Sequence, residues 1–316
     1  MNESFIQKKV AKKMTDRSTK KEWNLQNKYV LITGATSGIG LAAAKAFAAR
    51  GANLGIIARN QSKAEEISTV LRMQTKKPIK IDIFVADLSS QRSIRKVTEQ
   101  ILESCPKIDV LVNNAGALFD SFQKTEEGVE MTWAVNHLAP FLLTSLLLER
   151  LKESESARII NTASHGHKMI KKGFRFDNLN GEHLYRGFKK LLGGSTIRYA
   201  QTKLANILFT SELARRLERS NITVHCFDPG LVATNFNQNN GMMAKATMAL
   251  MNLFSRTPEK GADTLVWLAE LKDTSNQNGQ YFADRQQKAP TELATDKELA
   301  RKLWSISEEQ IQLSMN

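Results

Sequence analysis

Cysteine is scarce in this 316-residue sequence: Cys105 and Cys226 are the only two, and they lie far apart. They form no disulfide framework and suit a reducing compartment. No run approaches the about 20 apolar residues of a membrane-spanning helix. The opening stretch MNESFIQKKVAKKM lacks the apolar core of a secretion signal. These absences predict a cytoplasmic protein. No Pro/Gly/Ser linker, low-complexity tract or short repeat divides the chain. With 41% hydrophobic residues, it can bury one large core.

Charge is uneven. The net charge is +13, and residues 1–28 alone hold eight Lys/Arg against three Asp/Glu. Within that stretch Ile6, Val10 and Met14 recur every fourth position beside Phe5. Two readings stay open for residues 1–24: a solvated extension, or a short amphipathic segment making weak contact with a membrane surface. Binding of nucleic acid is not expected, because no basic and aromatic recognition motif accompanies the charge.

From Lys28 onward, strand and helix patterns alternate. KYVLIT, NLGIIA, IKIDIFVAD, IDVLVNNAG, ARIINTAS, ITVHCFDPG and GQYFA read as strands. LAAAKAFAAR, QSKAEEISTVLRMQ, SIRKVTEQILES, a stretch over 126–151, RYAQTKLANILFTSELARRLER and GADTLVWLAEL read as helices. Gly51 suits a helix C-terminus. Repeated β-then-α order predicts an α/β fold: a Rossmann-type, doubly wound parallel sheet of about seven strands with helices on both faces. The expected organisation is a basic extension over 1–24, a single nucleotide-binding catalytic domain over 25–284 and a helical tail over 285–316.

TGATSGIG, Thr33 to Gly40, follows the first strand and opens a helix, as a dinucleotide loop must. Gly34 permits the turn, Gly38 lets backbone near the pyrophosphate, and Gly40 lets helix pack on strand. Thr36, Ser37 and Ile39 complete the phosphate cradle at the helix N-terminus. An enzyme that uses NAD usually ends its second strand with an acid for the ribose 2′-hydroxyl. Here that place holds Ala58, followed by Arg59, whose planar fork suits a 2′-phosphate. NADP is the expected cofactor, ahead of NAD. Asp87, followed by Leu88, has two open readings: acceptor from an adenine amino group, or helix N-cap.

TGATSGIG, NNAG at 113–116, a serine after the fifth strand, YAQTK at 199–203 and PG at 229–230 occur in that order. The set resembles the short-chain dehydrogenase/reductase family across the whole domain. VNHLAPFLLT, YAQTKLANILFT and PGLVATN resemble its retinol-dehydrogenase-like branch, which includes the WW-domain-containing oxidoreductase, although no WW domain is present. The resemblance implies a catalytic set of Asn136, Ser164, Tyr199 and Lys203. It also implies cofactor contacts at Asn114, Ala115, Gly116, Pro229, Gly230 and Thr234, besides Tyr199 and Lys203. By this analogy Asn136 holds a water that feeds protons to Lys203.

The residue chemistry fits hydride transfer between NADP(H) and a small carbonyl or alcohol substrate, with Tyr199 as acid and base. Lys203 lies one helical turn after Tyr199 and is expected to lower its pKa. Ser164 can hold the substrate oxygen. Tyr185 and Lys189, in YRGFK, are a rival pair with the same spacing, but Gly187 weakens a helix there. Tyr199 follows Ser164 by 35 positions, against about a dozen usual for the family, so an insertion precedes it. His165 and His167 are read as lining this loop, since no acid or cysteine sits at ligand spacing for a metal. Met242, Met243, Met248 and Met251 suit a lid over an apolar substrate, a core stripe or a contact between copies in a homo-oligomer. A non-catalytic NADP-binding regulator on the same fold is the alternative, and it would not need the intact four-residue set.

Overall fold

The computed structural model describes residues 23–75, 78–232, 255–271 and 278–311. Thr234 and the methionines of 242–251 lie outside them. The strands are β1 (Tyr29–Thr33), β2 (Asn53–Ala58), β3 (Ile81–Val85), β4 (Val110–Asn113), β5 (Ala157–Thr162), β6 (Ile222–Asp228), β7 (Tyr281–Ala283) and β8 (Gln286–Gln287). They form one sheet in the order β3-β2-β1-β4-β5-β6-β7-β8. The first seven run parallel, and β8 returns antiparallel to β7. The eighth strand adds one to the number expected. It is two residues long and follows a turn in which Asp284 and Arg285 take φ of 52° and 59°. Neither is a glycine, so the usual hairpin signal is absent from the sequence.

The helices are α1 (Gly38–Ala49), α2 (Gln61–Met73), α3 (Gln91–Ser104), α4 (Met131–Lys152), α5 (Gly187–Leu191), α6 (Gly194–Arg216), α7 (Pro258–Glu270), α8 (Glu292–Thr295) and α9 (Lys297–Gln310). Each sheet face has its own core. Phe47, Leu54, Leu71, Leu265 and Leu268 lie in the one beneath α1, α2 and α7. Ile101, Trp133, Phe141, Leu204, Leu208 and Trp304 lie in the other, beneath α3, α4, α6 and α9. Strands buried on both faces read as continuous apolar runs, as YVLIT does here.

Helix α4 begins at Met131, five residues later than the sequence pattern suggests. The carboxylate of Glu130 caps it, accepting from the backbone N–H of Thr132 at 2.8 Å and of Trp133 at 2.9 Å. By length and composition alone, Met131–Lys152 is apolar enough to cross a bilayer, which the sequence reading did not anticipate; 67% of its most apolar window is buried inside the protein. Its second turn, Ala134–Leu138, widens into a π-helix.

The strand order reverses between β1 and β4, which opens a crevice at the carboxyl ends of the strands. The segment from 165 to 193 passes over this end. It is built from three 3₁₀ turns and the short helix α5. The buried hydroxyl of Tyr185 donates to Glu130 Oε1 at 2.8 Å, and the fully buried Arg198 donates to Glu130 Oε2 at 2.7 Å. Arg198 also stacks over Trp133, 4.7 Å from its ring centroid. One carboxylate therefore joins the inserted segment, the start of α4 and helix α6.

Candidate active site

The glycine loop is locked onto the end of β4. Thr33 Oγ1 accepts from the backbone N–H of Asn114 and of Ala115, both at 3.0 Å. Asn114 Nδ2 donates back to the Thr33 carbonyl at 3.1 Å. Gly34 turns with φ of 71°. A Cβ at Gly40 would lie 2.1 Å from the Gly34 carbonyl oxygen, so no other residue fits there. Ser37 begins α1 without a side-chain cap, and the first turn has no acidic residue. Its free N–H groups and dipole suit a phosphate, so the loop fits a dinucleotide.

Arg59 is exposed directly after β2. The cap of the following helix is its neighbour Asn60, which accepts from Lys63 N at 2.9 Å. At the end of β3, the two readings of Asp87 separate. Ser90 caps α3. Asp87 Oδ1 instead accepts from the backbone N–H and hydroxyl of Ser89, at 2.9 and 2.7 Å, so Asp87 is not the cap residue. Leu88 is partly exposed beside it.

Asn136, Ser164, Tyr199 and Lys203 converge from three separate segments: the π-turn of α4, the turn after β5 and helix α6. Asn136 sits on the π-turn and exchanges two bonds with Ala117: Nδ2 donates to the carbonyl and Oδ1 accepts from the N–H, each at 2.8 Å. Such turns recur at functional sites, where the extra residue re-aims a side chain. A Cβ at Gly116 would lie 3.3 Å from Asn136 Oδ1 and 3.6 Å from Lys203 Nζ. Thus NNAG, Asn136 and Lys203 meet at one point. Ser164 opens the 3₁₀ turn that follows β5, and its hydroxyl hydrogen-bonds Tyr199. Its oxygen also accepts from Gly166 N at 3.1 Å. Lys203 is 2% exposed. Its ammonium donates to the Thr162 carbonyl at 3.1 Å and lies 5.2 Å from the Tyr199 ring centroid.

Burial pulls the Lys203 pKa down to about 8, against the attraction of Asp228. The Tyr199 phenol moves the opposite way from the sequence expectation. Burial pushes it above the usual range and the negative charge of Asp228 adds to this, while the Ser164 hydrogen bond opposes both. The Lys203 ammonium is turned away from the phenol, toward the Thr162 carbonyl on β5. Burial therefore keeps the Tyr199 phenol protonated at neutral pH.

Asp228 had no role in the sequence reading. It is buried at the end of β6, where Oδ1 accepts from Gly230 N at 2.9 Å and Oδ2 from the Tyr281 hydroxyl at 3.1 Å. Its place directly before Pro229–Gly230 was the only available signal. The PG turn packs against Arg256, which pairs with Asp284.

The rival pair does not form a unit. Tyr185 ends a 3₁₀ turn and is buried on Glu130, whereas Lys189 is exposed on α5 beyond an extended Arg186. His165 is exposed, with Nδ1 4.0 Å from Asp228 Oδ2. His167 is buried beneath, with Nδ1 2.7 Å from the Ser164 carbonyl, and helps hold that turn.

A family model described as short chain dehydrogenase matches residues 28–174. Retinol dehydrogenase 14 of Homo sapiens is 38% identical over 300 residues, covering 90% of this chain and 86% of that protein. The short-chain dehydrogenase TIC 32 A, chloroplastic, of Brassica napus is 36% identical over 285 residues, covering 88% and 86%. Among solved structures, an uncharacterised protein from Mycobacterium Paratuberculosis superposes with a TM-score of 0.71 at 26% identity, covering 94% of this chain and 100% of that one. L-sorbose reductase from Gluconobacter frateurii, complexed with NADPH and L-sorbose, has a TM-score of 0.62 at 23% identity, covering 83% and 97%.

Proposed function

The chain belongs to the short-chain dehydrogenase family, on its retinol-dehydrogenase-like side, and from that premise we propose that it transfers hydride between NADP(H) and the carbonyl or alcohol carbon of an apolar substrate. The observation that carries the reading is the Ser164–Tyr199 hydrogen bond with Lys203 one turn further along the helix. The names of the retinol dehydrogenases among its relatives support an apolar alcohol or aldehyde as substrate.

Bound nicotinamide supplies the hydride. Ser164 holds the substrate oxygen. Tyr199 gives its phenolic proton to that oxygen as the new C–H bond forms at carbon. The Lys203 ammonium stabilises the phenolate left behind. Asn136 and Lys203 face a common space beside Gly116, where one water could link them and return a proton. The loop from Gly34 to Gly40 would hold the pyrophosphate, Arg59 the 2′-phosphate and Asp87 the adenine. Leu88, Asn114 to Gly116 and Pro229–Gly230 would line the remainder, with Thr234 following.

Arg59→Asp should lower kcat/KM for NADPH relative to NADH by roughly 10- to 100-fold, since a charge-assisted bond contributes about 1.5–3 kcal/mol. An unchanged ratio in steady-state kinetics with both cofactors removes Arg59 from the 2′-phosphate site. The pH profile is a separate test. Lys203 must carry its proton to stabilise the phenolate, and its pKa is about 8. Reductive kcat/KM should therefore be level below that value and fall as pH rises through it. A profile that rises there contradicts the assignment.

A further inference from the structure

Eight large apolar side chains are exposed among the described residues, and three of them fall within five positions: Phe188 at 72%, Leu191 at 81% and Leu192 at 63%. Their spacing of three and four places them on one side of α5 and its last turn. Arg186, Lys189 and Lys190 interleave with them and are all exposed. Arg186 pairs with Glu182, whereas neither Lys189 nor Lys190 forms a salt bridge among the described residues. The whole stretch from 166 to 193 contains seven Lys/Arg and two Asp/Glu.

We propose that this face of the inserted segment, with Phe188, Leu191 and Leu192 at its tip and Lys189 and Lys190 beside them, docks on the surface of an anionic lipid bilayer. Apolar tips flanked by cations match the boundary between acyl chains and anionic headgroups. Charge argues against a second copy of the chain, because two strongly cationic faces would meet. Size argues against a specific protein partner. A stable interface takes about 20 residues a side, far more than three apolar side chains, whereas a bilayer needs no matching shape. The surface lies close to the proposed chemistry. Helix α6 starts two residues after Leu192 and reaches Tyr199 within about 8 Å of rise. The docked segment would then hold the crevice at the level where apolar alcohols and aldehydes dissolve. The contact itself does not depend on the hydride-transfer reading and is tested by binding alone.

The full chain should co-sediment with mixed phosphatidylcholine–phosphatidylserine vesicles and bind pure phosphatidylcholine vesicles more weakly. Replacing Phe188, Leu191 and Leu192 together by serine should lower the partition coefficient by at least about tenfold, since each buried apolar side chain contributes strongly. Lys189→Gln with Lys190→Gln should lower it about fivefold per charge on the anionic vesicles only. These side chains are exposed, so thermal melting should be unchanged. Leu191→Trp offers an independent reading: its emission should shift to the blue on binding. A chain that stays in the supernatant overturns the proposal. So does a serine variant that binds like the parent while Lys8→Gln/Lys9→Gln/Lys12→Gln/Lys13→Gln does not, which would assign binding to the N-terminal stretch. A dimer in sedimentation velocity that the serine variant dissolves would assign the face to a second copy and also overturn it.

Discussion

Tyr199→Phe should lower kcat for carbonyl reduction by about 10²–10⁴-fold, the range expected for removing a general acid, and leave NADPH affinity nearly unchanged. The substitution removes one oxygen and little else. The phenyl ring would still sit 5.2 Å from the Lys203 ammonium, and Lys203 would keep its bond to the Thr162 carbonyl. Ser164 would lose its partner but keep the bond from Gly166 N. The fold and the glycine loop are therefore untouched, and the loss should appear in turnover rather than in cofactor binding. Tyr185→Phe is the matched control. It removes the only other tyrosine with a lysine four places on and should cost about 1 kcal/mol of stability through its bond to Glu130. Its turnover should be close to the parent's. Near-normal turnover in Tyr199→Phe would falsify the assignment of the proton donor, and a comparable loss in Tyr185→Phe would reopen the choice between the two.

Arg198→Met should destabilise the folded chain by about 3–5 kcal/mol, the usual cost of leaving one partner of a buried ion pair alone. Arg198 and Glu130 are both essentially inaccessible to water. Without the guanidinium, the Glu130 carboxylate would remain buried with only the Tyr185 hydroxyl and two helix-capping N–H groups as partners. Adding Glu130→Gln should recover much of the loss, because the amide oxygen can still cap α4 while the uncompensated charge is gone. Urea unfolding with unchanged m-values is the measurement. A loss below about 1 kcal/mol for Arg198→Met would mean that the pair behaves as an exposed one. The consequence reaches the site, because Arg198 precedes Tyr199 and its partner anchors the inserted segment. A fraction of the stability loss should therefore be accompanied by weaker substrate binding.

The regular part of the molecule was legible in the sequence because its signals are local. Each parallel strand is a short apolar run closed by a turn, and each amphipathic helix repeats over several turns. Tyr199 and Lys203 could be read as a pair because four residues on a helix share a face. Where the signals were not local, the sequence misled or was silent. Helix α4 starts at Met131 because Glu130 turns its carboxylate onto the first N–H groups, and Glu130 is held there by Arg198, 68 positions away. The strand β8 depends on a turn with two non-glycine residues at positive φ. Of the two readings open for Asp87, the helix cap falls to Ser90 instead.

Sequence alone determined the family, the layered parallel sheet, the glycine loop and the spacing of the catalytic candidates. Those features follow from periodicity and from motifs a few residues long. Only the tertiary structure decided the protonation of the site. Burial and the carboxylate of Asp228, brought in at the end of β6, raise the pKa of the Tyr199 phenol although a lysine lies one turn away. Desolvation depends on what the whole chain packs around a group, and no stretch of residues carries that quantity by itself.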